Sequence, residues 1–301
     1  MTMEQIPNPL LGQSVARANL LVNGGFEWWQ RGGGPFTASS IYTADRWVQT
    51  LASGDTLSTI PTSGVVGQIP ATRNAGQFTY TRSTGGTSVA QTLKATEQPL
   101  AGLTLSLSAI LYATVVNAIR IYLQSDGTGG ATAYSPYHPG DTTWTMVGVT
   151  YSVPLNATQL TAGIAFNASG TFYADNMMLV AGTVPTAYVP LLPSEDLARC
   201  QRYYERRPEP GSSGEMIFNG YNATASDTNY VYVPFKVTKC VMPTYTLLGT
   251  WSVSNVGQPN MTSGQKSSDG VRLDIPATGA GRWYCQNYPG TSQWITAEAN
   301  P

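Results

Sequence analysis

Leu103, Leu105, Leu107, Ala109 and Leu111 occupy every second position of one stretch, with Thr104, Ser106 and Ser108 between them. A period of two is the spacing of a strand with one buried face, because successive side chains of a β-strand point to opposite sides. The aliphatics therefore share one face and the hydroxyls the other. Ile119, Ile121 and Leu123 repeat the pattern against Arg120, Tyr122 and Gln124. Further strands are expected over 77–82, 88–94, 143–153, 161–167 and 171–180, each bounded by Gly, Pro, Ser or Asn. Many short strands in close succession predict an all-β fold, a jelly-roll β-sandwich over 19–193.

One segment reads differently. Ser194 suits an N-cap, and Glu195 and Asp196 follow in the first turn, where the helix dipole favours negative charge. Arg202, Arg206 and Arg207 lie toward the other end, and Pro208 and Pro210 stop the run, so a connecting helix is expected over 194–207. Leu197, Cys200, Gln201 and Tyr204 form a stripe along it. So short a helix does not stand alone in water, and the stripe must pack on its own sandwich or form an oligomer interface with a neighbouring subunit. The composition of 208–214 is that of a linker. Strands then resume over 215–220, 230–239, 245–254, 271–275, 282–286 and 293–297, a second, smaller β-sandwich-like domain within 208–301. Residues 1–18 hold Pro7 and Pro9 and show no period; they read as an extended arm that anchors to a partner, or as a plain disordered tail.

Charge narrows the function classes. Only 16 Lys+Arg and 17 Asp+Glu occur in 301 residues, with a net charge of −1. Without clustered basic residues to displace counterions, nucleic acid is not an expected partner. No run is long and apolar enough for membrane insertion, and the N-terminus lacks the basic start and apolar centre of a secretory signal. Cys200, Cys240 and Cys285 are far apart and are expected as buried free thiols. The single histidine, His138, lies in the turn-like string SPYHPGD and is expected in an exposed loop. One imidazole excludes chemistry that needs two, no phosphate-binding glycine loop is present, and most aspartates fall in turn strings. No catalytic residue is assigned, and the chain is expected not to be an enzyme.

Two carboxylates stand apart. Glu27 follows the turn Asn23-Gly24-Gly25, and Asp175 lies within TFYADNMMLV, where Tyr173, Asp175 and Met177 share a face. Burying a charge on a strand costs several kcal/mol unless it is paired or bound to a cation. Asp175 therefore ligates a hard cation such as calcium together with Glu27, lies at an exposed edge, or pairs with Arg46. Trp28, Trp29, Tyr42, Trp47, Tyr134, Tyr137 and Trp144 gather in loops and strand ends of the first domain. Aromatic faces stack on sugar rings, which makes these candidate glycan contacts; core packing is the alternative for each.

The string NLLVNGGFEWWQRG at 19–32, with YTADRW at 42–47, resembles the opening of β-sandwich domains in bacteriophage tail fibres and related virion appendages. SEDLARCQRYYE at 194–205 is similar to the short helix after that domain in the same proteins, and WITAEA at 294–299 to their terminal strand. The first domain also resembles jelly-roll carbohydrate-binding modules. These open with Asn-Leu-Leu-x-Asn-Gly-x-Phe-Glu and close with an aromatic-x-Asp-Asn strand, here 19–27 and 173–176; Met177 and Met178 depart from their usual closing residues. In such modules a structural calcium commonly joins the opening turn to the closing strand, which implicates Glu27 and Asp175. The resemblance implies a phage virion structural protein on the particle surface, tail or head. It would be a short homotrimeric fibre subunit whose N-terminal arm docks to other virion proteins and whose β domains bind host cell-surface polysaccharide. A capsid decoration, head-fibre or neck protein is the second reading, and a polysaccharide depolymerase the third.

Overall fold

In a computed structural model of the chain, residues 19–63, 72–208, 216–261, 266–287 and 293–300 are described. The expected arm 1–18, Pro210 and most of the expected linker lie outside them. The chain divides into two units, Met1–Leu197 and Ala198–Pro301. Among the described residues no helix is long and apolar enough to cross a membrane.

The first unit contains β1 (Ile41–Tyr42), β2 (Val48–Thr50), β3 (Thr56–Thr62), β4 (Ala75–Thr81), β5 (Ser88–Lys94), β6 (Thr104–Tyr112), β7 (Ile119–Ser125), β8 (Thr132–Tyr134), β9 (Trp144–Ser152), β10 (Gln159–Phe166) and β11 (Gly170–Ala181). They form two antiparallel sheets, β1-β2-β5-β10-β7-β8 and β3-β4-β11-β6-β9, around one core. This is the jelly-roll sandwich. The period-two aliphatics fill it: Leu105, Leu107, Ala109 and Leu111 on β6 and Ile119, Ile121 and Leu123 on β7 are fully buried. Leu103 falls before β6 and stays largely exposed. The hydroxyl face of β6 is not open either, because the chain after β11 covers it. Ser106 Oγ donates to the Gly182 carbonyl at 2.8 Å, and Ser108 Oγ to that of Thr186.

The opening segment seals one edge. Leu20 N–H donates to the Leu179 carbonyl (2.9 Å), Met177 N–H to that of Gly24 (2.8 Å), and the Asn19 side chain bonds both Met177 O (3.0 Å) and Leu179 N–H (3.0 Å). Across the core, Gln91 of β5 bonds both backbone groups of Val22 at 2.9 Å. Gly24 is required here, since a Cβ would stand 2.1 Å from the Met177 carbonyl oxygen.

The division between units falls inside a helix, α1 (Pro193–Gln201). It is shorter than expected: Pro193, whose fixed φ suits a first helical position, begins it, and 204–207 is strand rather than helix. The reason is pairing. Tyr204–Arg207, here β12, takes an edge of β20 (Trp294–Glu298), which sends Glu205 inward and sets Arg206 over the Trp294 ring at 3.9 Å. Cys200, Gln201 and Tyr204 are buried and Leu197 is half-buried.

The second unit continues with β13 (Ile217–Asn222), β14 (Thr228–Pro234), β15 (Thr244–Leu248), β16 (Ser252–Ser254), β17 (Lys266–Ser267), β18 (Gly270–Pro276) and β19 (Gly281–Gln286). The expected strand 245–254 is broken at Gly249, whose φ of 79° belongs to a left-handed turn. Three three-stranded sheets result, β12-β20-β15, β13-β19-β16 and β14-β18-β17. The last three strands each run through the middle of one sheet, antiparallel to both neighbours, so the chain's return path supplies every central strand. Val233, Val271, Leu273, Ile275, Cys285, Ile295 and Ala297 form the shared core. Cys285 and Cys200 are buried and Cys240 is only partly so; all are free thiols.

Candidate functional site

The outward residues of the six-stranded sheet form three transverse rows. The middle row reads Tyr42, Val48, Ala90, Gly163, Tyr122 and Tyr134 from β1 to β8. On one side lie Thr50, Ser88, Ala165 and Arg120, and on the other Thr92, Thr161, Gln124 and Thr132. Small side chains thus occupy the centre, on β5 and β10, while large ones stand at both margins. The result is a shallow trough along the central strands, with hydroxyls on its floor and the Tyr122 ring lying across its middle over Gly163.

Its walls are aromatic and cationic. The Arg120 guanidinium lies 3.5 Å from the Tyr134 ring centroid and 4.4 Å from that of Tyr137. A guanidinium set over aromatic rings carries five N–H donors that can meet hydroxyl or carboxylate oxygens. Tyr122 lies down over Gly163, where a Cβ would meet its ring at 2.8 Å, and its hydroxyl bonds Ser88. Burial pushes this phenol above its ordinary pKa, so it remains a neutral hydrogen-bonding group. At the opposite margin Arg31 lies 4.7 Å from the Tyr42 ring centroid. Buried Asp45 holds it there, pairing with Arg31 at 3.5 Å while accepting from Gln30 Nε2 at 2.7 Å.

The fold separates the seven aromatics that the sequence groups together. Tyr42, Tyr134 and Tyr137 line the trough. Trp144 projects from β9, in the other sheet. Trp47 is core and no ligand contact: it is fully buried, stacks on Phe26 at 4.9 Å and donates its indole N–H to the Asn23 carbonyl at 2.9 Å. Trp28 and Trp29 sit half-buried in the opening loop, Trp29 packed against the core and stacked on Phe36 at 6.1 Å. Arg120 and Tyr122 were not among the expected contacts, although their alternation with Ile119, Ile121 and Leu123 already places them on the open face of β7.

His138 is buried, contrary to an exposed loop position. Gly140 N–H donates to its Nδ1 (2.9 Å), which leaves the proton on Nε2 to donate to the Thr143 carbonyl (2.9 Å). The imidazole is a turn brace.

Asp175 is fully buried, which excludes the exposed edge, at a bulge where pairing with β6 slips between Asp175 and Met178. Arg46 is turned toward β5 and Glu97, donating to the Thr92 carbonyl at 2.9 Å and meeting Glu97 at 3.4 Å. Thr72 Oγ1 and Asn176 N–H donate to the Asp175 carboxylate. Burial first, with the nearby Glu27 charge adding to it, pushes Asp175 well above the usual carboxylate range. Glu27 meets Arg73 at 3.2 Å. A buried carboxylate beside a second one is donor chemistry that a hard cation uses, although Arg73 already pairs with Glu27. Glu27, Asp175 and the Thr72 hydroxyl would hold it. Among the described residues no cluster of three metal-ligating side chains occurs, so the remaining oxygens would come from backbone and water.

No family model matches the sequence, and no curated protein matches it. Among solved structures, the chain is similar to the CBM22-1-GH10 modules of Clostridium thermocellum endo-1,4-β-D-xylanase 10B complexed with xylohexaose. That match has 13% identity and a TM-score of 0.39, over 56% of this chain and 29% of that one. A xylan-binding domain from carbohydrate-binding module family 22 matches at 15% identity and TM-score 0.35, over 51% of this chain and 98% of the other. The enzymatically active domain of bacteriophage CBA120 tailspike protein 4 matches at 12% and 0.39, over 55% of this chain and 22% of the other.

Proposed function

We propose that the chain binds an extended polysaccharide laid along the trough of the six-stranded sheet. The observation that carries this reading is Arg120 lying over both Tyr134 and Tyr137 at the margin of a sheet face whose central strands carry Ser88, Ala90, Thr92, Thr161 and Ala165. Sugar rings stack on the tyrosines, and their hydroxyls meet the guanidinium rim and the floor hydroxyls. The role we propose is binding rather than turnover. Titration against a panel of bacterial surface polysaccharides tests it. Tyr134→Ala and Arg120→Ala should each weaken binding by about 1–2 kcal/mol, roughly tenfold, at unchanged fold. Unchanged affinity in both variants would remove the trough as the site.

The setting we propose is a phage virion appendage, a homotrimeric fibre subunit attached through residues 1–18, on the strength of the opening, 194–205 and 294–299 blocks. Three weak sites at high local concentration give an avidity that one lacks. Light scattering of the full-length protein should give three times the 32.1 kDa chain mass; a monomer at micromolar concentration counts against the fibre.

A further inference from the structure

Arg120 differs from the other described arginines of the first unit in what it meets. Arg31 pairs with Asp45 at 3.5 Å, Arg46 with Glu97 at 3.4 Å and Arg73 with Glu27 at 3.2 Å. Arg82 donates to the Asn167 carbonyl. Among the described residues no carboxylate pairs with Arg120, whose guanidinium lies over the Tyr134 and Tyr137 rings. The face around it has the same sign. Outward positions of β5, β7, β8 and β10 hold two cations, Lys94 and Arg120, among hydroxyl, amide, tyrosine and small side chains, and none of them is acidic. Carboxylates near the ends of these strands are engaged. Glu97 meets Arg46, and Asp126 accepts from the Thr158 and Gln159 N–H groups at 2.8 and 2.9 Å.

A cation set so favours one class of partner. Hydrogen bonds to an ionised acceptor are roughly twice as strong as neutral ones. Two parallel N–H groups of a guanidinium match the two coplanar oxygens of a carboxylate, a geometry that a sugar hydroxyl fills only by half. Stacking on the rings also orders the side chain in advance, so less rotamer freedom is lost when an anion arrives. The place is open to a ligand, since Arg120 is half-buried and Tyr134 is 45% exposed. Exposure has a consequence as well: solvent and salt screen the contact, so the preference it creates is moderate and salt-dependent.

We infer that the trough selects an acidic polysaccharide, a sugar carboxylate of which is received by the Arg120 guanidinium. Lys94, two residues beyond Thr92 on the outward row of β5, adds attraction for the same charge without the fork geometry. This inference rests on the trough being the binding site and names the class of polymer it takes.

The test titrates full-length protein with alginate, hyaluronan and polygalacturonate, each as the native uronate and as its carboxyl-reduced neutral counterpart, and with xylan. In low salt at least one uronate polymer should bind about tenfold more tightly than its reduced form. Salt near 0.5 M should remove most of that ratio, because the Debye length then falls to a few ångströms. Arg120→Gln should abolish the ratio at an unchanged melting midpoint, whereas Arg120→Lys, which keeps the charge but not the fork, should retain part of it. Equal affinity for native and reduced forms, with both weakened by Tyr134→Ala, would overturn the inference and leave the trough standing. A ratio that survives Arg120→Gln would overturn it too. So would xylan bound more tightly than every uronate, or a glycerol-phosphate polymer bound where no uronate is. Absence of binding by every polymer, xylan included, would remove the trough itself and the inference with it.

Discussion

Lys239→Met should destabilise the second unit by about 3–5 kcal/mol, although methionine fills nearly the same volume. The Lys239 ammonium and the Glu205 carboxylate are both fully buried, with Nζ 2.8 Å from Oε2. Lys239 Nζ also donates to the Val237 carbonyl at 2.6 Å and lies 4.9 Å from the Phe235 ring centroid. Glu205 Oε1 accepts from Lys236 N–H at 2.9 Å, and Arg207 approaches it to 3.8 Å. Burial pulls the Lys239 pKa down while Glu205 holds it up, the balance of an ion pair that compensates only when complete. Removing the lysine leaves a desolvated carboxylate with one backbone donor and a distant guanidinium. Removing both charges, in Glu205→Leu/Lys239→Met, should restore most of the loss, because a well-packed apolar pair avoids the desolvation cost. Urea unfolding of the two variants measures both steps. A single-mutant loss under about 1 kcal/mol, the range of a surface pair, would show that water reaches the site.

That pair also marks where sequence reading stops. In the stretch QRYYERRP at 201–208 the charges suggest a solvated helix end, and nothing local reveals that Glu205 faces a lysine 34 residues later. Strand β12 exists because β20 needs a second edge partner, a long-range requirement that overrides helix propensity. By contrast, the inward faces of β5, β6, β7 and β10 follow directly from their period of two, since half-burial imposes that spacing. β1, β2 and β8 have two or three residues each and leave no periodic trace. The aromatics divide in the same way. Trp47 and Tyr134 are alike in composition and setting, yet one fills the core and the other walls the trough, because burial is decided by register, which a loop residue does not carry. Arg120 and Tyr122 were legible from the alternation of β7. Their pairing with Tyr134 and Tyr137 depends on β8 folding back alongside, which only the tertiary structure supplies.

Calcium should raise the melting temperature of the first unit at about pH 8, and more than it does at about pH 5. Asp175 is the reason. Its folded-state pKa lies well above the ordinary 3.8, so between those values the folded protein binds more protons than the unfolded chain. Stability from the protonated group is complete below the unfolded value and is lost as pH rises through the folded one. In chelator, therefore, wild type should lose stability from acid toward neutral pH, whereas Asp175→Asn, which cannot ionise, should not. A cation coordinated by Glu27 and Asp175 replaces the proton with a charge that both carboxylates favour, so its effect grows as the proton leaves. At free calcium about 100 times the dissociation constant the gain is about 2.7 kcal/mol. For a unit of this size that corresponds to a rise of roughly 5–10 °C. Asp175→Asn should cancel both the calcium response and the pH slope. Calorimetry with calcium and with chelator at both pH values checks all four conditions. A midpoint at pH 8 that is the same in calcium and chelator would mean that Asp175 holds no cation. Its hydrogen bonds with Thr72 and Asn176 would then be the whole of its role.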